Sequence, residues 1–366
     1  DGLERSVMAE TAVDLSISDT PTVFGPEVWH GSEMGARQDE WVHEISADDA
    51  AALDAGTQVA LATGKNILDI VAEDFPLGSF APTLMTIREE LLRGRGFKLM
   101  RGLPIEGRTV ADVAMMYWGI GTHLGYAVSQ NAKGHVLGHV KDLGLNYDDP
   151  MARGYQTSAR LPYHTDYSDL VGLLCLKTAQ SGGLSSIVSS AALYNYMIAE
   201  QPDLADALMQ PFYRTRWGEV GGDRPPWVEV PTFNPFEGGV STNYVRSAVR
   251  KAQLMPEVPR VTAKQEEAMD YFDALAGSPD FHLDMELRVG DLQFVNNHYI
   301  MHSRTVYEDH TDWNEKRHLM RLWLACEDGP TFPPGMTKQF QGLTLNGRPN
   351  GIHVPGVPFS APLDAE

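Results

Sequence analysis

The sequence predicts one domain that is mainly β, with helices packed around a β core. From about residue 134 onward, short β-rich runs alternate with Gly and Pro, a pattern typical of a sandwich or barrel. Earlier in the chain, and in two later insertions, apolar residues recur at helical spacing. The sequence contains no internal repeat, so we expect a single β core with helices around it.

Capping residues and glycines mark where the helices begin and end. Thr109 and Thr262 are followed three residues later by Asp112 and Gln265, the spacing of a capping box. A Gly-Arg-Gly stretch at 94–96 ends an apolar helical segment. We predict helices over residues 48–62, 82–93, 110–120, 191–210 and 263–276, and strands over 97–103, 135–140, 170–178, 185–190, 228–233, 240–245, 292–304 and 317–326.

The N-terminal region lacks a sustained apolar period. We therefore expect residues 1–45 to form an irregular arm and residues 46–366 to form the single domain. Because residues 1–7 precede Met8, we interpret them as a remnant of expression that takes no part in the fold.

The charge balance excludes some classes of partner. The 366 residues include 29 basic and 49 acidic side chains, a formal charge of −20, which repels nucleic acid and anionic membranes. We expect a small-molecule substrate, and an anionic one would be bound by a few locally placed Arg or Lys side chains. A homo-oligomer is compatible with the sequence.

The sequence also indicates a compartment. Cys175 and Cys326, the two cysteines, lie in apolar runs, which favours buried free thiols in a reducing environment over a disulfide. No run approaches the roughly 20 apolar residues of a membrane span. The cytoplasm is the expected location.

Three His-x-Asp triplets occur, and their surroundings differ. Such a pair on a strand places both side chains on one face, where they can reach one metal ion. The pair His310 and Asp312 lies in a polar run, and the pair His282 and Asp284 flanks the apolar Leu283, so we expect both pairs to be solvated. The triplet at 164–166 lies beside an apolar strand, and it is the candidate metal site.

A third ligand comes from a distant segment. With His164 and Asp166, His302 would complete a set of two imidazoles and one carboxylate, which leaves open positions on iron for chemistry. Arg317 and Arg321 follow on an otherwise apolar strand, where a guanidinium without an anion is rare. Each could bind a carboxylate in a bidentate manner, or could pair with an internal acidic residue.

This ordered set resembles the taurine and 2,4-D dioxygenase family, over roughly residues 97–324. The resemblance is carried by the His-Thr-Asp triplet, the Ser181-Gly182-Gly183 turn before Ser185, the Gly290-Asp291 turn leading to His302, and the two arginines. The resemblance implies a double-stranded β-helix, or jelly roll. It also implies that Fe(II), 2-oxoglutarate and O₂ are used to hydroxylate or desaturate a C–H bond, with release of succinate and CO₂.

The resemblance also implies the roles of individual residues. His164, Asp166 and His302 would bind Fe(II), and Arg317 would bind the far carboxylate of 2-oxoglutarate. A hydroxyl would assist Arg317; the family usually has Thr at that point, and here Ser185 and Ser186 both remain candidates. Arg321 matches an arginine that often meets an anionic group of the substrate.

Further residues are candidates for the substrate pocket. We expect the segments 129–135 and 212–217 to form pocket walls, with Gln130 and Asn131 as contacts, and a small polar or carboxylate-bearing substrate. His298 shares strand parity with His302, so it could line the pocket or support it by packing.

Two other functions remain open at this stage. A zinc-dependent hydrolase could use the same three ligands, although it would need a nearby general base and no pair of buried arginines. A non-catalytic jelly-roll binding protein would have no need for all three ligands.

Overall fold

Two antiparallel sheets face each other at the centre of the fold. The computed structural model describes residues 21–146, 153–219, 224–337, 347–349 and 351–365. The described strands are β1 Val42–Glu44, β2 Phe97–Arg101, β3 Tyr126–Ala127, β4 Leu137–Lys141, β5 Leu161–His164, β6 Leu170–Lys177, β7 Ser181–Gly182, β8 Ser185–Ser189, β9 Pro211–Thr215, β10 Trp227–Pro231, β11 Phe233–Phe236, β12 Gly239–Thr242, β13 His282–Met285, β14 Leu292–Asn296, β15 Ile300–Arg304, β16 Tyr307–Glu308 and β17 His318–Ala325.

The strand order places distant segments side by side. The major sheet has the order β1-β2-β14-β6-β17-β3, with β4 also paired to β17, and the minor sheet has the order β13-β8-β15-β5. Neighbouring strands are antiparallel except β1 and β2, which are parallel. This arrangement brings strands that are far apart in sequence to the same space between the two sheets.

Helices cover both outer faces of the sandwich. The described helices are α1 Gly31–Gly35, α2 Gln38–Trp41, α3 Ala47–Ala62, α4 Ala81–Arg93, α5 Val110–Leu124, α6 Ser190–Glu200, α7 Pro202–Met209, α8 Arg246–Ala252 and α9 Ala263–Ala276. Apolar residues of α3, α4 and α5 pack on the major sheet, and those of α6, α7 and α9 pack on the minor sheet. A third apolar cluster fills the space between the sheets. No helix in the described ranges is long and apolar enough to cross a membrane.

The predicted helix starts are confirmed where side chains cap them. The Thr109 hydroxyl accepts from the backbone N–H of Asp112 at the start of α5. Thr262 and Gln265 cap each other's backbone at the start of α9, which is a complete capping box. The predicted bounds of α9 agree with the structure.

Three predicted segments are divided in the structure. The predicted strand 292–304 is two strands, β14 and β15, which lie in different sheets because Asn297, His298 and Tyr299 turn the chain between them. The helix predicted over 191–210 ends before Pro202, which has no N–H to continue it and instead begins α7. The strand predicted over 228–233 is likewise divided into β10 and β11.

The N-terminal arm is more ordered than its composition suggested. Residues 1–20, including the interpreted remnant, lie outside the described residues. The described part contains α1, α2 and β1, and it buries Trp29, Met34 and Trp41 in the cluster between the sheets. These three residues are spaced too irregularly to give a periodic signal.

Candidate metal centre and substrate pocket

Two histidines face each other on neighbouring strands of the minor sheet. His164 on β5 and His302 on β15 are directly opposite in the antiparallel register, with ring centroids 4.3 Å apart. Asp166 follows β5, and a carboxylate oxygen of this residue lies 3.9 Å from His164 Nε2 and the other 3.6 Å from His302 Nε2. The ligand atoms of the three residues all lie within 4.8 Å of one another, so together they could hold one metal ion.

Neighbouring groups orient these ligands. His164 Nδ1 lies 2.8 Å from the carbonyl oxygen of Pro162, which requires a proton on Nδ1 and leaves the lone pair of Nε2 for a metal. The Trp323 indole N–H donates to Asp166 Oδ2 at 3.0 Å, and the Asp166 backbone N–H donates to Asn297 Oδ1 at 3.1 Å. Contacts with Pro162, Trp323 and Asn297 therefore hold His164 and Asp166 in position, and the sequence did not predict these contacts.

The protonation states suit a divalent cation. Burial, together with the neighbouring His302, lowers the pKa of His164 to about 4, so its ring is neutral near pH 7. Burial alone would raise the pKa of Asp166, but hydrogen bonding to His302 and the charge of Arg321 bring it well below its ordinary range. A neutral imidazole at His164 and an ionised carboxylate at Asp166 are suitable donors for a facial iron site.

Arg317 is buried close to this cluster and has an unused donor. Its side chain is 4% exposed, and it lines a small cavity together with His164, His302 and Ser185. Nη2 donates to the Gly183 carbonyl at 3.2 Å, whereas Nη1 is buried without a hydrogen-bond partner among the described residues. A carboxylate arriving in the cavity would satisfy this donor, so the residues present fit 2-oxoglutarate.

Arg321 lies between the metal cluster and a larger pocket. The side chain is 6% exposed, and Nη1 lies 3.9 Å from Asp166 Oδ2. Its Nε donates to Gln130 Oε1 at 2.7 Å, and Gln130 Nε2 in turn donates to the Arg321 carbonyl at 2.8 Å. Gln130 therefore fixes the guanidinium while also lining the pocket.

Comparison with known proteins gives the family. The model of the taurine catabolism dioxygenase TauD, TfdA family matches residues 60–323. The chain belongs to this family.

Two relatives extend this match over most of the chain. FR-33289 synthase of Streptomyces rubellomurinus is 30% identical over 333 residues, covering 89% of this chain and 97% of the relative. The taurine hydroxylase-like protein SAT17 of Stachybotrys chartarum is 27% identical over 329 residues, covering 86% of this chain and 83% of the relative.

A solved structure agrees with the fold. Asparagine oxygenase, in complex with Fe(II), 2S,3S-3-hydroxyasparagine and succinate, has a TM-score of 0.61 at 16% identity, covering 78% of this chain and 93% of that one. The predicted jelly roll is thereby confirmed.

The TauD/TfdA family consists of dioxygenases that use Fe(II), 2-oxoglutarate and O₂, so the protein is a 2-oxoglutarate-dependent non-haem iron dioxygenase. The hydrolase and the binding protein are excluded.

The register of β8 separates the two candidate serines of this TauD/TfdA protein. Ser185 faces the interior opposite Arg304, and it lines the same cavity as Arg317. Ser186 points to the opposite face, where its hydroxyl is 2.6 Å from the Tyr163 hydroxyl. Of the two predicted hydroxyls, the structure brings only Ser185 to the cavity.

His298 lines neither cavity beside the metal cluster, so of its two expected roles the structure favours support by packing over contact with the substrate. Nε2 is 2.6 Å from the buried Asp169 carboxylate, and Nδ1 is 3.2 Å from the Ser241 hydroxyl. Both ring nitrogens are therefore occupied by the protein. Strand parity does not place His298 at the pocket because the chain turns between β14 and β15, so His298 is not on the strand of His302.

Asn131 lies beside the pocket, further from the metal cluster. It lines a second cavity that shares Gln130 and Arg321 with the first. Its Oδ1 accepts from the backbone N–H groups of Lys133 and His135, at 3.0 and 3.4 Å. In this position Asn131 shapes the turn at 131–135.

Several pocket residues were not predicted individually. Tyr155, Tyr163, Tyr167 and Trp323 line the pocket beside the metal cluster. Trp323 could have been found from sequence, because it continues the alternation of Arg317, just before β17, with Leu319 and Arg321 on β17. The others lie on or beside short irregular segments whose positions depend on tertiary packing.

Proposed function

We propose that the protein hydroxylates a C–H bond of a small molecule that carries a carboxylate or a similar anionic group. One oxygen atom of O₂ enters the new hydroxyl group, and the other enters succinate as 2-oxoglutarate loses CO₂. In this proposal His164, Asp166 and His302 hold the iron, Arg317 and Ser185 hold the far carboxylate of 2-oxoglutarate, and Arg321 holds the substrate.

The position of Arg321 carries this proposal. Its guanidinium lines the metal-side cavity and the larger pocket, and its nearest acidic neighbour, Asp166, is one of the proposed iron ligands. With iron bound, the charge of Asp166 would be shared with the metal, and the cation would remain available to an anion in the pocket. An anionic group on Arg321 would then hold a neighbouring C–H bond close to the metal.

The protein supplies aim and exclusion of water, while the iron and 2-oxoglutarate supply the oxidising power. The Arg321 guanidinium packs against the rings of Tyr155 and Trp323, at 4.6 and 4.9 Å from its central carbon. These rings and the hydrogen bond to Gln130 allow the guanidinium little freedom. A substrate held by it would be oriented before the reaction begins.

A similar protein of known structure supports this class of substrate. The asparagine oxygenase structure contains a hydroxylated amino acid, which is small and carries a carboxylate.

We also propose a reducing compartment, the cytoplasm, because Cys175 and Cys326 are buried free thiols. The expected homo-oligomer stays a prediction.

Succinate release from matched substrates tests the proposal. Small carboxylates would be compared with their amides in the presence of Fe(II), 2-oxoglutarate and O₂. We expect the carboxylates to stimulate succinate release, and Arg321→Met to raise their KM by about 10- to 100-fold, since a hydrogen-bonded charge is lost. Arg250→Met, an exposed arginine on α8, is the control and should leave KM unchanged. An unchanged KM in Arg321→Met would contradict the substrate assignment.

A further inference from the structure

Three buried donors, two in one wall of the substrate pocket and one behind it, have no acceptor among the described residues. They are Arg214 Nε, the Tyr167 hydroxyl and the Trp217 indole N–H, and none has a hydrogen-bond partner in the part of the chain that the structure describes. Tyr167 and Trp217 line the pocket beside His164 and Asp166. Unsatisfied buried donors are rare in folded proteins, and three in one region indicate an acceptor that is not part of the chain.

The local sequence directs the Arg214 side chain inward. Phe212 and Arg214 alternate on one face of β9, and Phe212 packs in the cluster beneath the minor sheet. Arg214 therefore continues an apolar face, and its side chain is only 2% exposed. Its guanidinium carbon lies 5.3 Å from the ring centroid of Tyr167, the residue after Asp166.

Two arginines that line the pocket have carboxylate partners, whereas Arg214 has none among the described residues. Arg246, which lines the pocket, pairs with Glu266, Asp270 and Asp273, and Arg153 pairs with Glu219. Across the described residues no carboxylate lies within ion-pair distance of Arg214. A buried cation without an anion destabilises a protein. A bound anion that is not part of the chain would compensate the charge of Arg214.

Two further cations lie beside the Trp217 ring at the same wall. Its backbone has a positive φ of 49°, which is uncommon for a residue with a large side chain. Its ring lies 4.2 Å from the Arg153 guanidinium carbon and 5.8 Å from Lys251 Nζ. An anion that accepts from the indole N–H would therefore lie close to two more cations.

We propose that Arg214, Tyr167 and Trp217 form a second anion subsite, which takes a carboxylate or phosphate-type group of the substrate. This inference rests on the proposed function, because it takes Arg321 as the first anion subsite of the same pocket. It narrows the substrate to molecules with two anionic groups.

Inorganic phosphate is the first probe, and acetate is the second. The holoenzyme would be kept without O₂, with Fe(II) and saturating 2-oxoglutarate, so that the Arg317 site is already filled. We expect phosphate or acetate to bind and to raise the Tm of the wild type, and the stronger of the two identifies the class of group. Arg214→Met should weaken binding by about tenfold or more, and Tyr167→Phe by about threefold to tenfold.

The variants distinguish a ligand site from a structural role. Without the anion, Arg214→Met and Tyr167→Phe should keep or raise the Tm, because each removes a buried donor that has no partner. A loss of Tm in both variants, or equal anion binding in the wild type and Arg214→Met, would overturn the subsite. Arg250→Met controls for the loss of one positive charge and should bind the anion as the wild type does.

The result can be separated from a failure of the proposed function. The visible band of iron-bound 2-oxoglutarate, recorded in the same samples, reports on the metal and Arg317 and not on Arg214. A wild type with the band that binds the anion no more tightly than Arg214→Met refutes the subsite and leaves the proposed iron, 2-oxoglutarate and Arg321 roles in place. A wild type without the band contradicts the proposed iron and 2-oxoglutarate residues, whatever the anion does.

Discussion

Two His-x-Asp pairs lie on opposite edges of the minor sheet, and their local geometry is nearly the same. The His164 and Asp166 side chains are 3.9 Å apart at β5, and those of His282 and Asp284 are 3.7 Å apart on β13. In each pair the histidine Nδ1 lies 2.8 Å from a backbone carbonyl. The motif and its immediate support therefore do not distinguish the two.

The difference lies across the sheet. His164 is opposite His302, whereas His282 is opposite the apolar Val188. On β13 it is Leu283 that faces the interior, so the polar pair faces away from it, and Asp284 is exposed. A shift of one residue in strand parity thus separates a possible metal site from a solvated edge.

The largest expected effect is on metal binding. His164→Ala should weaken Fe(II) binding by more than about 100-fold, because the residues that merely support a metal ligand are worth about 10- to 100-fold. His282→Ala is the matched control on the other edge, and its affinity should equal that of the wild type. Anaerobic titration with Fe(II) measures the affinity of both variants. Similar losses of affinity in the two variants would contradict the distinction between the two His-x-Asp pairs.

A smaller effect is expected from the support of Asp166. Trp323→Phe removes the indole N–H that donates to Asp166 Oδ2 and keeps an aromatic ring in the pocket. We expect Fe(II) affinity to fall by about tenfold. An affinity equal to that of the wild type would show that Trp323 only packs against Arg321.

The smallest effect separates the two serines on β8. Ser185→Ala should raise the Kd of 2-oxoglutarate by about fivefold, the value of one hydrogen bond of about 1 kcal/mol. To make that bond, the Ser185 hydroxyl must turn from Gln293 Oε1, to which it donates at 2.8 Å. Ser186→Ala should leave the Kd unchanged, and the reverse result would show that the register of β8 is different.

Much of the site could be predicted from sequence because alternation along a strand determines which side chains lie on the same face. Arg317 and Arg321 are four residues apart at β17, so they share a face, and the apolar surroundings distinguished His164 from the other two triplets. The role of His298 could not be decided from sequence because periodicity does not show where a strand ends and the chain passes to another sheet. Arg214 was missed because a buried cation without a partner is recognised only when its neighbours are known.

Anaerobic addition of Fe(II) and then 2-oxoglutarate tests the central claim most directly. The weak visible charge-transfer band of a chelated 2-oxo acid should appear in the wild type and in His282→Ala. It should be absent in His164→Ala, and in Arg317→Met it should appear only at much higher 2-oxoglutarate concentration. A band that persists in His164→Ala, or an unchanged 2-oxoglutarate dependence in Arg317→Met, would contradict the proposed site.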